Sequence, residues 1–348
     1  MVKKIHSKYL FLLIVIGIYL LALNPAFAQN SSTKNNSKIS KKPKEVLIKN
    51  SPTNIPLKTS VNEIFPGSLN GVEMFYKPAN EGEIEIFLVK YFNCNSFKID
   101  SSETVTVQET VATMLTAKPI LKYLSEQEIT ATINANCVGY KNGCIKKITY
   151  SGKVKLMSPM MGGYDITWGY CCWNESSLTN IEGMLEHNKQ GLSLTLHIPE
   201  LVAGEVNSSP VFMYPPVLYA CKNQLIAIKC EAKDENNDSL TYELSQLNDY
   251  KTKNNITNQT EPKVYPGQPI NQSFAGGRPP FKKILNKKGF DYLHPLSGKQ
   301  VSIDAKTGEI QLKAEANGEY LIGVSVNEYR SKKLIGTYQR VFKINIVD

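Results

Sequence analysis

From about residue 61 to Asp348 the chain is a succession of short apolar runs rich in Val, Ile, Thr, Tyr and Phe, punctuated by Gly, Asn, Pro and Lys. Residues 82–92 show the pattern best. Ile84, Ile86 and Leu88 alternate with Glu83, Glu85 and Phe87, a period of two that suits a strand with one buried face. Comparable runs are read at 103–108, 145–156, 192–198, 211–219, 225–229, 240–244, 301–303, 309–312, 320–328 and 338–346. Ile120–Glu128 has room for a helical turn or two. Strands alternating with long helices are missing from the pattern, which excludes doubly wound and barrel α/β folds and predicts an all-β protein of antiparallel β-sandwiches. The rhythm breaks near Pro199–Pro210, where Gly204, Asn207, Ser208 and Ser209 cluster. Two tandem sandwich domains are therefore expected, 61–204 and 205–348. A second irregular stretch, Asn248–Tyr292, carries the paired Gly276 and Gly277 within Ala275–Pro280. It is either a binding loop or a plain insertion.

The first 60 residues are of another kind. Lys3, Lys4 and Lys8 precede the apolar Tyr9–Leu23, and Ala26-Phe27-Ala28 forms an A-x-A site, so 1–28 read as a secretory signal peptide cut before Gln29. Its apolar run is about 15 residues against the roughly 20 a spanning helix needs, and no later segment is apolar enough, so the mature chain is expected to have no integral membrane span. Residues 29–60 hold seven lysines, six serines and five asparagines. Such a stretch buries too little surface to offset its ordering entropy and is read as a disordered linker. The formal charge of the whole chain is +9, yet residues 1–60 contain ten lysines and one acid, leaving 30 basic and 30 acidic residues after them. This balance argues against a basic face and a nucleic-acid partner. Lys38, Lys41, Lys42 and Lys44 either meet an anionic surface or are simply solvated. The expected location is secreted, at the cell surface or in the periplasm.

Seven cysteines follow the leader: Cys94, Cys137, Cys144, Cys171, Cys172, Cys221 and Cys230. Export makes disulfides the expected chemistry. Cys137 and Cys144 flank the turn signal Tyr140-Lys141-Asn142-Gly143 and are expected to pair. Cys171 and Cys172 are neighbours and, on a strand, point to opposite faces, so they have different partners unless they close a strained vicinal bridge. If the strands around Cys221 and Cys230 form a hairpin, those two cysteines are too far apart to bond. Cys94, Cys171, Cys172 and Cys221 are then expected to share two bridges, with Cys230 an odd buried thiol. No Cys-x-x-Cys spacing occurs and His187, His197 and His294 are scattered, so zinc is poorly supported.

Three blocks together are familiar: Trp168-Gly-Tyr-Cys-Cys-Trp-Asn174 with Thr179-Asn180, Asn207-Ser-Ser-Pro-Val-Phe212, and Asp234-Glu-Asn-Asn-Asp-Ser-Leu-Thr-Tyr242. With Asp304-Ala-Lys-Thr-Gly-Glu309 and Glu328-Tyr-Arg330, they resemble the paired Ig-like and cadherin-like N-terminal region of large secreted surface proteins of Bacteroidota, many linked to gliding motility, adhesion and type IX secretion. The resemblance implies tandem Ig-like and cadherin-like sandwiches, an adhesive or scaffolding role, and no enzymatic residues. Trp173 stands where that pattern commonly has an arginine.

The sharpest candidate site is Asp234, Asn236 and Asp238. Alternating oxygen side chains can converge on a hard cation when a turn curls, and the cadherin-like resemblance implies calcium for such acidic turns. The other reading is a β-turn that Asp and Asn stabilise through their own side chains. Asp304, before Thr307-Gly308, is read as a hairpin turn. No cofactor other than this weak calcium is implied. No G-x-S-x-G elbow or H-E-x-x-H is present and nothing selects a catalytic carboxylate pair. The expectation is thus a non-catalytic adhesion, binding or structural module whose partners are other envelope or surface proteins or polysaccharide. An exported glycoside hydrolase-like enzyme or carbohydrate-binding protein is the alternative.

Overall fold

A computed structural model describes residues 69–80, 82–94, 99–112, 114–130, 144–156, 161–171, 178–182, 190–200, 207–252, 272–297 and 300–348. The signal peptide and linker lie outside the described residues. In chain order the strands are β1 (Leu69–Pro78), β2 (Glu83–Asn93), β3 (Ser102–Thr104), β4 (Thr106–Glu109), β5 (Leu115–Ala117), β6 (Ile120–Thr130), β7 (Cys144–Lys155), β8 (Tyr164–Cys171), β9 (Leu192–Ile198), β10 (Val211–Phe212) and β11 (Tyr219–Cys221). They continue as β12 (Ile226–Lys229), β13 (Ala232–Lys233), β14 (Ser239–Leu244), β15 (Asn248–Thr252), β16 (Gln272–Ala275), β17 (Phe281–Lys283), β18 (Gln300–Ile303), β19 (Glu309–Lys313), β20 (Gly318–Arg330) and β21 (Lys333–Val347). The described chain is all-β, and no helix within it is long and apolar enough to cross a membrane.

The largest sheet has nine strands, ordered β14-β20-β21-β1-β2-β7-β6-β3, with β11 parallel to the end of β21. A seven-stranded sheet, β17-β15-β9-β8-β4-β5 with β16 also on β8, and a three-stranded sheet, β12-β19-β18, accompany it. The side-chain period explains the packing. On β1, Val72, Met74 and Tyr76 join one core with Ile84, Ile86 and Leu88 of β2 and the inward faces of β4, β8 and β9. Phe75 of β1 and Val89 and Tyr91 of β2 serve a second core with Ile228, Ile310 and Leu312 of the three-stranded sheet and Phe342 and Ile344 of β21. Successive residues of a strand face opposite ways, so a strand feeding two cores is buried on both sides. The clean alternation of residues 83–88 accordingly gives way to unbroken burial over Leu88–Tyr91, and Leu69–Met74 is buried throughout.

All the described strands fall within one compact unit, Ser60–Asp348. Hydrogen-bonded ladders cross the boundary expected at 204/205: Glu73 of β1 pairs with Arg340 of β21, β15 with β9, and β16 with β8. Ile120–Glu128 is strand rather than helix. β6 runs antiparallel to β7 from Lys122 to Thr130, and this ladder satisfies the backbone groups that a helical turn would have paired internally.

The cysteine pairing needs a correction. Cys144 is bonded to Cys94, not to Cys137. Cys94 follows β2 and Cys144 opens β7, and the register Asn93↔Ile145 puts the two cysteines opposite each other, with Cys94 N–H donating to the Cys144 carbonyl at 3.0 Å. Ladder register, not the short sequence gap to Cys137, decides the partner. Cys171 and Cys221 each take part in a disulfide; Cys137 and Cys172 lie outside the described residues. Cys230 is a free, buried thiol, and burial pushes its pKa up to about 11. The hairpin argument for it does not hold, since β11 and β12 belong to different sheets.

Candidate functional site: a buried carboxylate cluster at the Asp234 turn

The turn between β13 and β14 is built by its own first side chain. Asp234 Oδ1 accepts from the backbone N–H of Asn236 at 2.9 Å and of Asp238 at 2.8 Å. Asn237 takes the left-handed conformation, φ 62°, that the curl requires and that asparagine tolerates. The loop thus closes over Asp234, whose side chain is buried and whose Oδ2 has no hydrogen-bond partner among the described residues.

Structure separates the three residues singled out from sequence. Asn236 Oδ1 accepts from both the N–H and the hydroxyl of Ser208, at 2.8 Å each, so this oxygen is committed to the 207–209 segment. Asp238 is clasped by Arg330: Nε donates to Oδ1 at 3.0 Å and Nη2 to Oδ2 at 2.6 Å. The third carboxylate beside Asp234 and Asp238 comes instead from Glu328 of β20, and oxygens of the three lie within 4.8 Å of one another.

Glu328 is fully buried. Its Oε2 accepts from the Tyr338 hydroxyl at 2.6 Å and from Asn207 Nδ2 at 3.3 Å, while Oε1 has no partner among the described residues. Burial raises its pKa to about 8; the Tyr338 hydrogen bond opposes the rise and the Asp234 charge adds to it. The Asp234 carboxyl is also raised, by burial first, against the two backbone donors that favour its anion. Asn207 links the parts, accepting from Arg330 Nη2 at 2.6 Å and donating to the Tyr76 hydroxyl at 2.9 Å. Ser209 fastens the same segment to β1, its hydroxyl accepting from Tyr76 N–H at 2.8 Å and its N–H donating to Tyr76 O at 3.1 Å.

The cluster therefore joins β1, the 207–209 segment, the Asp234 turn and β20. Its oxygens are hard donors of the kind that a cation such as calcium takes. Glu328 had a sequence signal that periodicity made visible. Val324, Val326 and Glu328 share one face of β20, and an acid ending an apolar, core-facing row is a buried charge in need of a partner.

The other sites weighed from sequence are plainer. Asp304 Oδ1 accepts from Lys306 N–H and Thr307 N–H at 2.8 Å each, the hairpin turn expected. Gly276 and Gly277 are buried, and their carbonyls accept from Thr106 and Thr167 hydroxyls at 2.7 and 2.8 Å. That segment is a strap pinned to the seven-stranded sheet. Trp168 is buried in the first core with its indole N–H on Glu103, 3.0 Å away, rather than displayed for stacking on sugar. No protein-family model matches the chain, and no curated protein matches its sequence.

Proposed function

We propose that this chain is an exported, non-catalytic module of the cell envelope or surface that works by adhesion or scaffolding, with other envelope proteins or polysaccharide as its partners. The observation that carries the reading is an apolar patch turned outward at one end of the seven-stranded sheet. Val111, Met114 and Leu115 at the β4–β5 turn and Met161 beside them are all exposed, Met161 by 71%. A side-chain carbon added at Gly162 would touch Val111 at 2.5 Å, so the Met161–Gly162 turn lies against the β4–β5 turn. Side chains of this size gathered at a sheet end are costly to leave in water and are a common mark of a contact surface. Disulfides at Cys94, Cys144, Cys171 and Cys221 suit an oxidising compartment outside the cytoplasm.

Protease shaving of intact cells, read by peptides of this chain in the released fraction, tests the location. Binding of the purified chain to isolated envelope and to polysaccharide tests the role. A Val111→Ser, Met114→Ser, Leu115→Ser variant is expected to keep its fold and lose binding about tenfold or more, the worth of roughly 1.4 kcal/mol. Resistance to shaving together with unchanged binding by the variant would remove the proposal.

A further inference from the structure

We propose that Asp234, Asp238 and Glu328 form a binding site for one hard divalent cation, calcium in preference to magnesium. The site is independent of the adhesive role. It differs from the one the Asp-Asn-Asp spacing suggests, because Asn236 is spent on Ser208 and the third carboxylate arrives from a strand about 90 residues away.

The first observation is a pair of orphaned oxygens. Asp234 Oδ2 and Glu328 Oε1 are inaccessible to solvent and make no hydrogen bond among the described residues. Buried polar atoms are satisfied almost everywhere in folded proteins, and a carboxylate left without a partner carries the largest desolvation penalty of them all. Two such atoms in one cluster call for a positive occupant.

Charge gives the second. Among the described residues the cation bonded within this cluster is Arg330, whose donors are placed on both oxygens of Asp238 and on Asn207 Oδ1. The residual charge of about −2 with all three groups ionised is that of a divalent ion's partner set. Geometry gives the third. Donor oxygens within 4.8 Å of one another are near the spacing at which three oxygens share one ion at the calcium–oxygen distance of about 2.4 Å. Every donor is oxygen, which selects a hard ion over zinc or copper. Calcium is preferred because Asp234 and Asp238 are fixed by the turn and by Arg330, and calcium accepts irregular oxygen arrangements whereas magnesium demands a near-octahedral shell. A bound ion would fasten the β13–β14 turn to β20.

A single proton shared by Asp234 and Glu328 would satisfy the same two oxygens, and the experiment has to separate these occupants. The mature full chain, stripped with EDTA and dialysed, is unfolded thermally at pH 8.5 with added CaCl2, MgCl2 or neither. With calcium in about hundredfold excess over its dissociation constant, the midpoint should rise by about 5 °C, and by less with magnesium at equal concentration. Glu328→Gln and Asp234→Asn should each lower the apparent calcium affinity at least tenfold, while Asp304→Asn in the exposed β18–β19 turn should leave it unchanged. Terbium luminescence excited through Tyr338 and Tyr76, and displaced by calcium, gives a readout on the wild-type chain even if both variants fail to fold. No calcium shift in the wild type, no calcium-displaceable terbium signal, or a response that survives both cluster substitutions would overturn the assignment and leave the shared proton as the occupant.

Discussion

Arg340 of β21 and Glu73 of β1 face each other across the one short ladder that joins these strands, both buried, with Arg340 Nε donating to Glu73 Oε2. The pair is embedded in further contacts. Tyr91 donates its hydroxyl to Glu73 Oε1 at 3.0 Å, Arg340 Nη1 donates to the Tyr214 carbonyl at 2.7 Å, and the guanidinium lies 3.9 Å from the centre of the Phe212 ring. Desolvating two charges consumes much of what their attraction returns, so the pair need not add net stability. Breaking it leaves one charge stranded. Arg340→Met is expected to lower unfolding free energy by about 3–5 kcal/mol, and Glu73→Leu combined with Arg340→Met to recover much of the loss. Arg340→Lys should rescue poorly, since an ammonium cannot span Glu73 and Tyr214 while stacking on Phe212. Urea midpoints of the wild type, Glu73→Leu, Arg340→Met, the double variant and Arg340→Lys decide the matter. Additive losses in the double variant would mean that the two side chains do not act as a pair.

The Cys94–Cys144 bridge closes a separation of 50 residues. On the chain-entropy account, a loop of that length is worth about 4 kcal/mol through the unfolded state. Cys94→Ser with Cys144→Ser should therefore lower the unfolding free energy by that order, read as a fall in the urea midpoint. Non-reducing peptide mapping should join the peptides of Cys94 and Cys144. The buried Cys230 thiol, with its pKa raised by burial, should react with a thiol reagent only once the chain unfolds. A Cys137–Cys144 peptide would contradict the ladder-based pairing.

Much of this architecture is legible in residue order, and the parts that are not share a cause. Gly82–Phe92 announces its strand because alternation is a local property, and the Asp234 turn announces itself because Asp and Asn bond to their own backbone. Partner choice between strands is not local. β1 and β21 meet through a register linking Glu73 to Arg340, and nothing in the period of either strand names the other. The cysteines follow the same logic. Cys137 looks the natural partner of Cys144 along the chain, whereas the β2–β7 register delivers Cys94. Glu328 lies between these cases. Its place on the core-facing row of β20 is readable, but its meeting with Asp234 depends on how β14 pairs with β20, Leu240 opposite Glu328.

Gly276 is held against the sheet by its lack of a side chain. A carbon added there would stand 2.5 Å from the Thr167 carbonyl carbon and 2.7 Å from its Cβ and Oγ1. Backbone on an interior strand cannot retreat cheaply, so Gly276→Ala should lift the strap and weaken the hydrogen bonds from Thr106 and Thr167. The expected cost is about 1–3 kcal/mol, the usual penalty for overfilling a packed site. Faster proteolysis within 272–280 should accompany it. Unchanged stability would show that the strap rests on the surface without depending on this contact.

Acidity supplies the last prediction, with the protein held in EDTA. Glu328 faces Asp234 and Asp238 from the β13–β14 turn, the latter held by Arg330, together with Tyr338 from β21 and, through Asn207, Tyr76 from β1. Its carboxyl titrates near 4.5 when unhindered and at about 8 in the folded chain. The folded state therefore binds this proton more tightly than the unfolded state does, and the linkage has a definite sign. Its stabilising contribution is full below about pH 4.5, declines as the pH climbs, and is gone above about 8. Asp234, also raised by burial, acts in the same direction. Urea midpoints taken from pH 5 to 9 should fall for the wild type and be flatter for Glu328→Gln, whose amide keeps the shape without the charge. That variant should be the more stable of the two at pH 9, because a neutral amide does not suffer the penalty of a buried anion. A wild-type profile as flat as the variant's would mean that Glu328 is ionised throughout and that its charge is already balanced within the fold.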